Sequence, residues 1–181
     1  GARQGATHHA RPAARSLLLT LGLLVLLAGA AAQAHDAHSH RQYAVTAPSR
    51  TTVSYVVPEV TLQRDDGQRV RLAQELDDGR PVVLSFIYTS CTTVCPMTSQ
   101  TLAQLQDKLG PARELVHMVS ISIDPEYDTP ARLRDYAARF HAGPQWQHYT
   151  GTLAAGQAVQ RAFAVYRGNK MDHEPVTLMR G

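Results

Sequence analysis

The sequence predicts one α/β domain on a partly parallel sheet, and three observations predict it. Two short apolar runs, Val82 to Tyr88 and Glu114 to Ile123, have the length and the β-branched or aromatic content of strands buried on both faces. Each is followed by a stretch with helical spacing: Leu102, Leu105 and Leu109 after the first, and Leu133, Tyr136, Ala137 and Phe140 after the second. The alternation continues over roughly 130 residues, which is enough for a single hydrophobic core.

Residues 1–34 read as a targeting segment. Arg3, Arg11 and Arg15 form a basic lead without acids, Leu17 to Ala32 is apolar, and Ala32-Gln33-Ala34 has the pattern of a cleavage site. The apolar stretch would span roughly 24 Å as a helix, short of the roughly 30 Å of a hydrocarbon core, so cleavage is favoured over a retained anchor. No cysteine follows it closely, so a lipid-modified N-terminus is not expected. Without the three leader arginines the remaining chain carries fifteen basic and fifteen acidic residues. The charge excess belongs to the leader, and nothing favours a nucleic-acid partner. Residues 35–50 lack apolar periodicity and read as a flexible linker, whose His35, His38 and His40 either capture a metal ion weakly or are simply solvated.

The domain is expected over residues 51–181. Val53, Tyr55, Val57, Val60 and Leu62 lead to an Asp65-Asp66-Gly67 turn, which reads as an N-terminal β-hairpin. One helical turn is expected between Val70 and Leu76. The first buried strand then runs into Thr89-Ser90-Cys91, and the helix after Cys95-Pro96 ends at Gly110. Thr129 before Pro130 is a helix cap. Trp146 to Thr150 is expected to be a short strand, and Ala155, Val159, Ala162, Phe163 and Tyr166 one face of another helix. Residues 167–174 read as a polar loop, and Val176 to Met179 starts a last strand. The chain has no internal repeat and no phosphate-binding glycine loop.

Cys91 and Cys95 are the two cysteines of the chain, placed where a buried strand hands over to a helix N-terminus. The helix dipole and its unpaired N–H groups favour a thiolate there, lowering the pKa from about 8.5 toward or below 7. Two thiolates four residues apart can chelate one soft metal ion or close a small disulfide. A disulfide closing so short a loop removes little chain entropy, so a working dithiol is the better reading than a structural staple. In an exported protein such a pair must be kept reduced or metallated to work. Thiol–disulfide exchange, with Cys91 and Cys95 as the redox pair, is the alternative reading to metal binding.

Cys91-Thr92-Thr93-Val94-Cys95-Pro96, the Ser122-Ile123-Asp124-Pro125-Glu126-Tyr127-Asp128-Thr129-Pro130 loop and Asp172-His173 together resemble the Sco/SenC family of copper chaperones. The resemblance runs from about Tyr55 to the end. It implies a thioredoxin-like fold and a role in cytochrome c oxidase assembly. The protein would deliver copper to the binuclear CuA site of the oxidase or another copper acceptor, or would reduce the thiols of that site. It also implies one copper ion, Cu(I) or Cu(II), on Cys91, Cys95 and His173. The donor chemistry agrees, since two thiolates and an imidazole suit a soft ion, and no further cysteine exists for a four-ligand structural zinc. Asp172 could orient the His173 ring. The expected location is the periplasm, soluble or anchored at the membrane surface by the N-terminal segment.

Other histidines read as non-ligands: His117 as a core residue, His141 and His148 as surface. Asp124 and Asp128 read as loop-shaping acceptors of backbone N–H bonds, Met97 as a packing residue, and Met171 as soft enough to touch copper. Pro175 departs from the family pattern and resembles the proline of thioredoxins that faces the thiols after a cis bond. A thioredoxin-like domain would have one more strand and a closing helix after Met179. Their absence from a chain ending at Gly181 leads to the expectation of a C-terminal truncation with an uncovered, aggregation-prone sheet edge.

Overall fold

The computed structural model describes residues 51–181. The expected leader and the His35, His38 and His40 linker lie outside the described residues. Six strands form one sheet in the order β2-β1-β5-β4-β3-β6. These are β1 (Thr61–Arg64), β2 (Arg69–Arg71), β3 (Val82–Ile87), β4 (His117–Ser122), β5 (Trp146–Thr150) and β6 (Thr177–Arg180). The helices are α1 (Leu72–Leu76), α2 (Val94–Leu109), α3 (Pro130–Arg139) and α4 (Leu153–Ala162). β3, β4 and β5 are parallel, while β1 and β6 run antiparallel to their neighbours.

Two-residue alternation divides the central strands between two cores. Val82, Leu84 and Phe86 of β3 join Val119, Ile121 and Tyr149 against Leu72 and Leu76 of α1 and Val159 of α4. Val83 faces the other way, with Met118, Trp146, and Leu102 and Ala103 of α2. Ile87 and Tyr88 continue that second side with Cys91, Cys95, and Leu133 and Tyr136 of α3. The thiols therefore sit in the packed layer between the end of β3 and two helices.

Local chemistry explains the element ends. Gly67 takes φ 91° in the β1–β2 turn, and Gly110 takes φ 54° where α2 stops, a conformation that costs a residue with a Cβ. Thr129 caps α3, its hydroxyl accepting the Arg132 amide at 3.3 Å with Pro130 in the first turn.

Several expectations change. Val53 to Val57 forms no strand, and the hairpin begins at Thr61. Glu114 and Leu115 belong to a 3-10 turn (Gly110–Leu115), so β4 starts at His117. His148 is fully buried rather than at the surface, stacked on Trp146 with ring centroids 5.4 Å apart. It falls on an inward position of β5, and burial lowers its pKa to about 4. The Glu174–Pro175 bond is trans, as are all described peptide bonds. Among the described residues no helix is long and apolar enough to cross a membrane.

Candidate functional site

β3 brings the chain to the site and α2 takes it away. Beyond β3 the Cys91 amide donates to the Tyr88 carbonyl at 3.1 Å, turning the chain sharply. α2 then begins at Val94, placing Cys95 in its first turn. The Cys95 amide points at Cys91 Sγ, 3.4 Å away, and Thr93 Oγ1 lies 3.8 Å from the same sulfur. Both cysteines are free and buried.

The two thiols differ in acidity. Burial alone would push Cys91 up. The Cys95 and Thr93 backbone groups, the Cys95 side chain and the Tyr88 hydroxyl outweigh that and lower its pKa to about 7. Cys95, 1% exposed, is pushed up to about 12, by burial first and then by its neighbour Cys91. The helix N-terminus thus favours one thiolate, not both as its position in the sequence suggests. The amide at the helix start is spent on Cys91, and Cys95 is inside the packed turn. Alkylation by iodoacetamide should therefore rise with pH to half its maximum near pH 7 at Cys91, with Cys95 unreactive until the chain unfolds. Peptide mass spectrometry reads both sites, and equal labelling of Cys95 in that range would contradict the split.

His173 reaches the same strand end from the far side of the sequence. The 3-10 turn Lys170–Asp172 is capped by Asn169, whose Oδ1 accepts the Met171 amide at 3.0 Å. Lys170 is paired with the Asp124 carboxylate, which ties this turn to the Asp-Pro loop. The His173 ring is 8% exposed, edge-on to Tyr88 at 6.5 Å between centroids, with Nε2 3.1 Å from the Phe86 carbonyl. Burial lowers its pKa from 6.5, so at neutral pH the ring is uncharged. An uncharged ring beside a carbonyl presents Nε2–H to it, which leaves the Nδ1 lone pair free.

The structure therefore joins Cys91 to Cys95 and brings His173 to the same strand end. It does not close the three into a metal cluster: among the described residues no three His, Cys, Asp or Glu side chains are close enough together to hold a metal ion. Asp172 is exposed, and the hydrogen bond that orients the ring goes to Phe86 instead. Asp128 is a loop-shaping acceptor: fully buried, it takes the Thr89 amide at 3.2 Å, the Thr89 hydroxyl at 2.5 Å and the Ser122 hydroxyl at 2.6 Å. The Asp124 carboxylate pairs with Lys170 instead of a backbone amide. Met97 is 72% exposed, not packed in the core, because it falls on the outer face of α2. Residue patterns did not single out Tyr88, yet it touches Cys91, Met171 and the His173 ring. Its one signal is an aromatic side chain ending a buried strand three residues before a cysteine.

The sequence profile of the SCO1/SenC family matches residues 48–179. A SCO1 protein homolog of Bacillus subtilis (strain 168) is 35% identical over 100 residues, or 55% of this chain and 51% of that protein. The chain thus spans about half the length of this relative. Among solved structures, BsSco is described as a member of the Sco family of cytochrome c oxidase assembly proteins with a disulfide switch. It superposes with a TM-score of 0.62 at 27% identity, covering 74% of this chain and 81% of that one. Bradyrhizobium japonicum ScoI with copper bound gives a TM-score of 0.54 at 27% identity, covering 66% and 75%. The six-stranded α/β domain is the thioredoxin-like fold of these structures. A profile match running through nearly all of the described residues places the chain in the SCO1/SenC family, to which it belongs.

Proposed function

We propose that this protein is an exported copper chaperone, carrying one copper ion on Cys91, Cys95 and His173 to the CuA site of cytochrome c oxidase or another copper acceptor. The observation that carries the reading is the pair of free thiols at the head of one helix, one of them acidic, beside an uncharged imidazole at the same strand end. The donors fit a soft ion. Cys95 would lose its proton on loading, so uptake releases protons. His173 would offer Nδ1 while Phe86 holds Nε2–H, the arrangement that fixes a ligating imidazole. Closing the set requires the turn that carries His173 to shift, and Gly168, with φ 77°, lies at its root. The leader supports export to the periplasm, soluble or held at the membrane.

The unequal thiols favour a second reading, thiol–disulfide exchange that keeps the CuA cysteines reduced. The Cys91 thiolate would attack a partner disulfide, forming a mixed disulfide and releasing one partner thiol. Cys95, losing its proton, would then attack Cys91 Sγ, closing the Cys91–Cys95 disulfide and releasing the second partner thiol. His173→Ala separates the readings. Copper transport predicts loss of tight Cu(II) binding, by roughly 100-fold, with the dithiol exchange rate kept within about threefold. Cu(II) titration followed by visible absorption, beside a disulfide reduction assay, measures both. Unchanged Cu(II) affinity would leave dithiol exchange as the function.

A further inference from the structure

His173 is carried by a short segment with open space behind it. Arg167 and Glu174 pair at 3.1 Å across its base. Inside that closure Gly168 takes φ 77°, and Asn169 caps the 3-10 turn Lys170–Asp172. A cleft of about 280 Å³ lies behind the turn, lined on one side by Gly168, Asn169 and Lys170 and on the other by Leu153, Gln157 and Gln160 of α4. With that side open, the position of the segment depends on a few directed contacts.

Lys170 makes three of them at once. Its ammonium pairs with the carboxylate of Asp124, a side chain only 14% exposed. The same ammonium lies 5.6 Å from the Tyr88 ring centroid and 5.9 Å from that of Tyr127. The anchor is itself fixed: the Asp124 amide donates to Ser122 Oγ at 3.0 Å, and the Asp124 carbonyl accepts the Tyr127 and Asp128 amides at 3.0 and 2.9 Å. On the other side, the Lys170 carbonyl accepts the His173 amide at 3.2 Å. One residue therefore joins the backbone of His173 to the loop after β4. A partly buried ion pair flanked by ring faces holds better than a solvated one, because less water and salt screen it.

Resting on the copper-chaperone reading, we propose that Lys170 is a positioning residue that clasps the His173 segment in an open arrangement, which copper uptake must release. In that arrangement Cys91, Cys95 and His173 are not close enough together to hold a metal ion. Closing the ligand set moves the segment about Gly168 and draws the ammonium away from Asp124 and the two rings. Copper affinity is then lowered by the stability of the clasp, as for any ligand whose competent state is the minor one. Release of the ion restores the clasp, which favours handing the ion on.

The test compares Lys170→Met, which keeps the stem and removes the charge, with Lys170→Arg, which keeps the charge. Before copper is added, amide hydrogen exchange over residues 168–174 should quicken roughly fivefold in Lys170→Met and stay at the wild-type rate in Lys170→Arg. Cu(II) competition should then show roughly fivefold tighter binding in Lys170→Met, the size of one partly exposed ion pair with ring support, and wild-type affinity in Lys170→Arg. Removing a positive charge also attracts a cation through space, so the comparison is repeated in His173→Ala. There Lys170→Met should change Cu(II) affinity by less than about twofold, because no imidazole remains to be positioned. Unchanged exchange, unchanged or weaker Cu(II) binding in Lys170→Met, or an equal gain in the His173→Ala background overturns the clasp. If Cys91→Ser and Cys95→Ser still lose copper in that case, the chaperone reading stands without it. If both serine variants keep wild-type copper binding, the chaperone reading fails and the clasp with it.

Discussion

Cys91→Ser and Cys95→Ser should each abolish tight copper binding, with stoichiometry falling from one per chain to a small residual fraction. A serine hydroxyl does not ionise at neutral pH and is a hard donor, so either change removes half of the thiolate chelate. The loss should exceed the roughly 10–100-fold that follows removal of a group merely supporting a ligand. The variants should also differ from one another. Cys91→Ser removes the acidic thiol, while Cys95→Ser loses the Cys95 side-chain contact but keeps the amide that points at Cys91 Sγ, so the remaining thiol stays more acidic than an ordinary one. Cu(I) competition and thiol alkylation on the two proteins measure both effects. Wild-type stoichiometry and affinity in both variants would remove the site.

The second large effect is on stability. Asp128→Ala should cost about 3 kcal/mol, because it removes the acceptor of the half-buried Thr89 amide and hydroxyl and strands the buried Ser122 hydroxyl. Thr89 is two residues before Cys91, so the cysteine turn loosens as well. Asp128→Asn keeps an acceptor for Thr89 and should cost only about 1 kcal/mol. Burial holds the Asp128 carboxyl above its ordinary 3.8, against the Ser122 and Thr89 hydroxyls. The folded chain therefore takes this proton before the unfolded chain does. The group's contribution is largest below 3.8 and declines as pH rises through the folded value, and Asp128→Asn should flatten that decline. Urea unfolding followed by fluorescence of the buried Trp146 tests this. An Ala variant within about 0.5 kcal/mol of wild type would show that Asp128 is not the staple of the loop.

The strands with the plainest pattern were legible. Val82 to Tyr88 reads as a strand because a nearly unbroken apolar and aromatic run has few other places to go, and Trp146 to Thr150 reads as one from its aromatic and β-branched content. Val53 to Val57 has the same alternation but no partner strand, and pairing is a property of two segments rather than one. His148 was missed for a related reason. Its neighbours in sequence look polar, and only the stacking of β5 between β4 and β1 turns it inward against Trp146 and Tyr136.

By itself the sequence determined where the two sulfurs lie, at a strand end and the start of a helix, because capping, proline placement and periodicity act over a few residues. It also carried the motifs that mark the family. Only the tertiary structure decided which carbonyl holds His173, that burial keeps the Cys95 thiol protonated, and that Tyr88 meets Met171 and the His173 ring. Those outcomes depend on burial and on hydrogen bonds between segments more than eighty residues apart, such as Phe86 with His173. Local spacing carries no record of them, since they exist only once the sheet has closed.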